Sequence, residues 1–166
     1  SDECETIGNY DEGIKYGNLA LNLGELILAN ASAVKDESIL RCVKKYKAKT
    51  FNNLGLIHYN KGNYFESIKN HLLSLKIKEQ MGDKSGIAGS YNNIGVVYYY
   101  QGNYPEALKN YLACLKINEE IGDKPSVAVS YNNIGNVYAD NKNYTEALKN
   151  YSACLKIAEL IGDKNL

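Results

Sequence analysis

The segment Ser90-Tyr91-Asn92-Asn93-Ile94-Gly95 (SYNNIG) decides the fold, because it recurs unchanged at residues 130–135 and as TFNNLG at residues 50–55. Successive copies start 40 residues apart. Aligning 91–124 with 131–164 matches 25 of 34 positions, and aligning 51–84 with 91–124 matches 18 of 34. Such a regular spacing is typical of a repeat architecture, in which each unit packs mainly on its neighbours.

Composition excludes several classes of partner. The chain has 166 residues, with 19 basic and 19 acidic side chains that cancel to a net charge of zero. Without a basic field, binding to nucleic acid or to an anionic membrane is not expected. The sequence contains no run of 18 apolar residues and no signal-peptide pattern, so no membrane partner is predicted.

The cysteines are isolated from one another and from the histidines. They form no CxxC pair and no zinc-ligand cluster, so neither a metal nor another cofactor is predicted. Widely spaced, unpaired cysteines favour a reducing, cytoplasmic location. The four are Cys4, Cys42, Cys114 and Cys154.

Each copy begins with a pattern typical of an amphipathic helix. Tyr91, Ile94 and Tyr98 recur at i, i+3 and i+7, which places them on one helical face. Beside this face lies Gly95, which lowers helix stability by about 1 kcal/mol relative to alanine. We therefore expect a second helix to approach too closely there for a Cβ, and the same at Gly55 and Gly135.

A second helix follows in each copy. An asparagine precedes it at the N-cap and a glutamate stands three residues further on, which predicts a capping box. These pairs are Asn63 with Glu66, Asn103 with Glu106, and Asn143 with Glu146. A glycine suited to a left-handed C-cap ends each helix, at Gly82, Gly122 and Gly162. The predicted fold is all-α, built from helix pairs.

The unit that these two helices form resembles a tetratricopeptide repeat. The second copy carries the resemblance through Tyr91, Ile94, Gly95, Tyr98, Gly102, Tyr104, Ala107, Tyr111, Cys114 and Leu115. The third copy departs from the pattern at Lys142, and the first at His58, Ser67, His71 and Ser74. The resemblance implies a right-handed superhelical solenoid of antiparallel helix pairs that is not an enzyme. The 40-residue unit is similar to the long-helix variety in kinesin light chains, spindle-orientation adaptors and bacterial signalling proteins.

The expected divisions are an N-terminal half-repeat with an extended junction (1–36) and three repeats (37–84, 85–124 and 125–166). The segment from Gly8 to Glu12 matches the start of a second helix whose first helix is missing. From Gly8 to Gly62 there are 54 residues instead of 40, so we expect 14 extra residues to lengthen the helices around Ala29 to Glu37. The chain is expected to be a fragment of a longer array, since another unit would begin at Asp163.

The opposite face of each first helix predicts a binding groove. Asparagine offers the donor and the acceptor that an extended peptide backbone presents, and tyrosine adds apolar area with a hydroxyl. Asparagine ladders bind extended segments in the adaptor families that the repeats resemble. The predicted function is a protein-protein interaction scaffold that binds an extended or helical peptide segment in its concave groove. The predicted groove residues are Asn52, Asn53, Leu56, Tyr59, Asn92, Asn93, Val96, Tyr99, Tyr100, Asn132, Asn133, Asn136 and Asp140.

Three alternatives stay open. The asparagines of the ladder could instead fix inter-repeat backbone or face water. The chain could be a regulatory input domain of a kinase, cyclase or transcription factor. It could also be a structural array that self-associates end to end through Tyr151, Cys154 and Leu155. No catalytic constellation is present, and we expect His58 and His71 to be hydrogen-bonded core or boundary residues.

Overall fold

A computed structural model describes residues 2–34 and 36–162, with side-chain surroundings for 9–30 and 36–162. This part of the chain forms seven α-helices and no strand. The helices are α1 (Asp2–Val34), α2 (Glu37–Asn60), α3 (Tyr64–Met81), α4 (Lys84–Tyr100), α5 (Tyr104–Ile121), α6 (Lys124–Asp140) and α7 (Tyr144–Gly162). Among the described helices, none is long and apolar enough to cross a membrane.

The helices divide into two compact units. The N-terminal unit, Ser1–Asp83, holds α1 to α3, and the C-terminal unit, Lys84–Leu166, holds α4 to α7. Within them α2 packs on α3, α4 on α5, and α6 on α7, while α1 also packs on α2 and α5 on α6. Three-residue turns join the partners of each pair and make them antiparallel. The all-α fold of helix pairs is therefore confirmed.

The turn between α4 and α5 shows how one helix ends and the next begins. The Asn103 N–H donates to the Tyr98 carbonyl at 2.9 Å and ends α4, while Asn103 Oδ1 accepts from the Glu106 N–H at 3.4 Å. Asn143 acts in the same way between α6 and α7. The side chain of Asn63 makes no capping hydrogen bond to α3, so the predicted asparagine cap forms at two of the three positions.

The reciprocal half of the capping box was predicted wrongly. A capping-box glutamate needs the N–H of the cap residue, but that N–H is already bonded to the carbonyl of the preceding helix. The glutamate instead pairs with the lysine three residues further along its own helix. The pairs are Glu66 with Lys69, Glu106 with Lys109, and Glu146 with Lys149.

Two of the three predicted left-handed C-caps are present. Gly82 and Gly122 follow α3 and α5 with φ of 66° and 72°. Gly162 differs, because it is the last residue of α7 and is not left-handed. Asp163, where the sequence predicts the next unit, lies outside the described residues.

The predicted close contacts at the helix glycines are confirmed. A Cβ added to Gly95 would lie 2.7 Å from Tyr111, and one on Gly135 would lie 2.6 Å from Tyr151. In the N-terminal unit a Cβ on Gly55 would lie 2.6 Å from the ring of His71. Each aromatic side chain of the second helix thus rests on the backbone of the first. Because no side chain stands between them, the two helices can approach closely.

The core of the C-terminal unit lies between α5 and α6. Its buried cluster consists of Ala107, Tyr111, Leu115, Val127, Ile134 and Val137. Val96 and Tyr99 of α4 pack against the same cluster while remaining half-buried. The predicted groove face of α4 therefore rests on the core at one side. This packing fixes the position of its side chains.

The 14 extra residues at the junction are divided evenly between two helices. α2 has 24 residues, whereas α4 has 17. Counted from its first tyrosine, α1 is seven residues longer than α3 and α5, each of which begins at a tyrosine. Seven residues make about two helical turns, so the added length keeps the same faces in contact. Close packing of α1 on α2 continues at Gly17, where a Cβ would lie 2.7 Å from Leu54.

The predicted start of the first helix was wrong. Gly8 and Asn9 lie inside α1, which begins at Asp2, and so they form no turn. Residues 2–7 contain neither proline nor a second glycine. One glycine costs only about 1 kcal/mol and does not by itself end a helix.

The polar substitutions of the first repeat are buried in the contact of α3 with α2. Ser67 Oγ donates to the Gly55 carbonyl and Ser74 Oγ donates to the Ala48 carbonyl, both at 2.8 Å. His71 lies between them and is 1% exposed, but neither ring nitrogen has a partner among the described residues. The expectation of a hydrogen-bonded histidine is wrong here and also for Nδ1 of His58, because the packed helix faces offer these atoms no acceptor or donor.

Candidate functional site

The predicted groove residues of the C-terminal unit lie on α4 and α6. Asn92, Asn93 and Asn133 are half-buried, as is Asn136, whereas Asn132 is exposed. Tyr100, at the end of α4, is 60% exposed. The face thus combines half-buried amide groups with an exposed aromatic side chain.

A hydrogen bond joins the two helices through the asparagine ladder. Asn133 Nδ2 of α6 donates to Asn92 Oδ1 of α4 at 3.0 Å. Asn92 Nδ2 and Asn133 Oδ1 have no partner among the residues that the structure describes. The pair therefore stabilises the packing of α4 with α6 and still offers one donor group and one acceptor.

A second link between the same helices lies near their C-terminal ends. The Tyr99 hydroxyl donates to the carboxylate of Asp140. This hydrogen bond raises the pKa of Tyr99 to about 12, with smaller contributions from burial and from the charge of Asp140. Tyr99 thus stays protonated at neutral pH and remains a hydrogen-bond donor.

Three tyrosine rings meet beside this link. The centroids of Tyr99 and Tyr100 are 5.3 Å apart with planes at 85°, and those of Tyr99 and Tyr104 are 6.1 Å apart at 47°. Tyr104, the first residue of α5, was not among the predicted groove residues. Its position after the Asn103 cap is visible in the sequence, but its contact with Tyr99 depends on how α5 folds back on α4.

Asn136 has a different role from the rest of the predicted ladder. Its Oδ1 accepts a hydrogen bond of 2.8 Å from the Tyr151 hydroxyl of α7. This contact joins the two helices of one repeat. The alternative that the asparagines fix inter-repeat backbone concerns contacts between repeats, such as Asn92 with Asn133, and the Asn136 bond lies within one repeat.

The remaining predicted groove residues belong to α2 in the N-terminal unit. Asn53 and Leu56 are exposed, and Asn52 and Tyr59 are half-buried. Tyr59 packs on Tyr64 of α3 with ring centroids 6.0 Å apart. This tyrosine pair resembles Tyr99 with Tyr104, so the same contact of first with second helix recurs in both units.

Other chemistry in the described residues is sparse. They contain no group of three or more histidine, cysteine or acidic residues placed to hold a metal ion. Cys114 is buried beside Ser130 and Asn118, and burial raises the pKa of its thiol. Cys42 is an exposed free cysteine, Cys154 is half-buried, and the surroundings of Cys4 lie outside the described residues.

The family follows from the repeat pattern together with these paired helices. The sequence model of the tetratricopeptide repeat matches residues 46–120 and 86–160, which is more than half of the chain. The chain is a tetratricopeptide repeat protein. Tetratricopeptide repeats generally mediate protein–protein interaction, and the proteins that contain them are generally non-catalytic scaffolds.

Solved structures share the fold of this tetratricopeptide repeat protein. BtubC (BKLC) from P. vanneervenii has a TM-score of 0.75 at 19% identity, over 93% of this chain and 59% of the BtubC chain. The tetratricopeptide repeat domain of Arabidopsis FLU has a TM-score of 0.66 at 17% identity, covering 70% of this chain and 98% of that domain. MamA has a TM-score of 0.59 at 19% identity, covering 98% of this chain and 96% of the other.

Among curated protein sequences, none matches this tetratricopeptide repeat protein significantly. The chain also spans less than two thirds of BtubC, the first of the three structures. Likeness at these identities establishes the fold alone.

Proposed function

We propose that the chain binds an extended segment of a partner protein along the face formed by α4 and α6. The observation that carries this proposal is the Asn92–Asn133 hydrogen bond, which leaves one amide donor and one amide acceptor without a described partner. An extended peptide backbone presents N–H and C=O groups in alternation. The asparagine pair can therefore bond to both kinds of group in the main chain of a ligand.

The tyrosines of the same face supply the apolar part of the interface. Tyr99 is held by Asp140 and by packing on the core, and Tyr100 is largely exposed. An aromatic side chain with few free rotamers loses little entropy when it becomes buried against a ligand. Hydrogen bonds from the asparagine amides to the main chain of a ligand, and contacts of the tyrosine rings with its side chains, together suit a linear segment. The groove positions on α2 stay a separate prediction for the N-terminal unit.

The proposal is tested with peptides selected from a random 12-residue display library on the 166-residue chain. The double variant Asn92→Ala with Asn133→Ala leaves neither amide of the pair without its hydrogen-bond partner. Alanine also has a slightly higher helix propensity than asparagine. Each lost main-chain hydrogen bond costs about 0.5–1.5 kcal/mol, so the affinity of a selected peptide should fall about five- to a hundredfold. Asn150→Ala is the matched control, since Asn150 bonds only within α7 to the Glu146 carbonyl.

Two results would contradict the proposal. Unchanged peptide affinity in the double variant would place the ligand away from α4 and α6. A loss of affinity that accompanies a fall of many degrees in the melting temperature, measured by circular dichroism, would attribute the weaker binding to lost structure and not to lost hydrogen bonds. Asn150→Ala should leave the affinity unchanged in either case.

One observation favours a second function, self-association. Leu155 of α7 is 60% exposed, whereas its equivalent in α5, Leu115, is 8% exposed because α6 covers it. Exposed apolar surface of this kind can become buried against another copy. Light scattering should then show a concentration-dependent increase in mass that Leu155→Glu abolishes, and a constant monomer mass would exclude it.

Two hypotheses stay predictions: that the chain is a regulatory input domain of a kinase, cyclase or transcription factor, and that it is located in the cytoplasm.

A further inference from the structure

The aromatic cluster of the C-terminal unit stands next to an unpaired charge. The ring centroid of Tyr99 lies 5.3 Å from that of Tyr100, with planes at 85°, and 6.1 Å from that of Tyr104, with planes at 47°. Their faces therefore point in different directions around the end of α4. The face of an aromatic ring carries negative potential and attracts cations.

Asp140 provides the charge. It is the only charged member of the thirteen predicted groove residues and is exposed. It forms no ion pair with any residue in the described part of the chain. The Tyr99 hydroxyl bonds to its Oδ2 and holds the carboxylate beside the rings, leaving Oδ1 available.

Asp140 is the charged group that is hydrogen-bonded to Tyr99, and the rings of Tyr100 and Tyr104 lie beside it. A cation from a ligand would therefore meet ring faces and a carboxylate. The charge complementarity favours a basic partner.

We propose that Asp140 and the rings of Tyr99, Tyr100 and Tyr104 form a subsite for an arginine side chain of the bound segment, an inference that rests on the function proposed above. Arginine fits better than lysine for two reasons. Its planar guanidinium stacks on an aromatic face, and its N–H donors bind a carboxylate in a fixed geometry. It is also less strongly hydrated than an ammonium group, so less solvation is lost at the rings.

The test uses the same 12-residue display library on the full chain. Selected peptides should share an arginine at one position, and replacing it by citrulline, the neutral isostere, should weaken binding about tenfold. On Asp140→Asn the preference for arginine over citrulline should fall to about threefold or less, and on Tyr100→Leu it should also decrease. Glu159→Gln, which removes one exposed charge from α7, is the control and should keep the full preference.

The outcomes separate the subsite from the groove. Peptides that lose binding on Asn92→Ala with Asn133→Ala but carry no preferred arginine would overturn the subsite and leave the groove function standing. A preference for arginine that survives Asp140→Asn would also overturn it. A selection that enriches no peptide would contradict the groove function and the subsite together. An arginine preference that depends on both Asp140 and Tyr100 supports the proposal.

Discussion

The ring of Tyr111 lies against the backbone of α4 at Gly95, with Cε1 2.7 Å from the place where a Cβ would stand. Gly95→Ala must therefore displace a buried ring that is part of the core. We expect the C-terminal unit to lose about 1–3 kcal/mol of unfolding free energy despite the better helix propensity of alanine. Urea denaturation followed by circular dichroism measures this loss.

Gly89 of the same helix is the matched control, because a Cβ there would have nothing within 4 Å. Gly89→Ala should raise the stability by up to about 1 kcal/mol, the gain in helix propensity alone. Equal effects of the two substitutions would show that the Tyr111 contact does not restrict position 95.

His71 should make the N-terminal unit sensitive to acid. Burial, with a smaller contribution from the charge of Lys78, lowers the pKa of His71 from 6.5 to about 4. The unfolded chain therefore binds the proton first, and the stability is complete above pH 6.5 and falls as the pH decreases toward 4. A shift of this size corresponds to about 3 kcal/mol of unfolding free energy.

His71→Phe should remove this dependence, since Tyr111 and Tyr151 show that a six-membered ring fits over the equivalent glycine. Amide hydrogen exchange in α2 and α3 between pH 7 and pH 4, corrected for intrinsic rates, reports the local stability. Parallel pH profiles for the parent and His71→Phe would show that the histidine is not the cause.

Lys142 occupies a backbone conformation that suits glycine. Its φ is 60°, where the equivalent turns have Gly62 at 74° and Gly102 at 72°. A side chain in this region costs about 1 kcal/mol, so Lys142→Gly should stabilise the C-terminal unit by about that amount. Thermal unfolding should show a melting temperature higher by a few degrees.

Gly102→Lys is the reciprocal change and should lower the melting temperature. If Lys142→Gly leaves it unchanged, the strain at position 142 must be relieved by contacts of the lysine side chain.

The thiols should differ in reactivity. Cys42 is exposed, whereas Cys114 is 3% exposed and burial raises the pKa of its thiol. Since the thiolate is the reactive form, alkylation of native protein at neutral pH should be at least about tenfold slower at Cys114. Mass spectrometry of the digested protein measures both rates, and urea should make them equal. Similar rates without urea would indicate that α5 and α6 open readily.

The local patterns of the sequence were enough to predict the helix pairs and the close contacts at Gly55, Gly95 and Gly135. Helical periodicity and capping residues act within a few positions along the chain, so they can be recognised without knowledge of neighbouring helices. The capping-box prediction failed at the glutamates because the pattern of residue types does not show where the N–H of Asn103 bonds. That N–H donates to the carbonyl of Tyr98, in the turn that ends α4.

The repeat period, the apolar faces and the positions of the ladder asparagines were thus determined by the sequence itself, because each follows from residue spacing on a helix. Only the tertiary structure decided the role of each polar side chain. Asn92 bonds to Asn133, Asn136 bonds to Tyr151, and His71 has no described partner. These outcomes depend on distances of a few tenths of an ångström between helices, and hydrogen bonds are made or lost over that range. A one-dimensional pattern does not contain those distances.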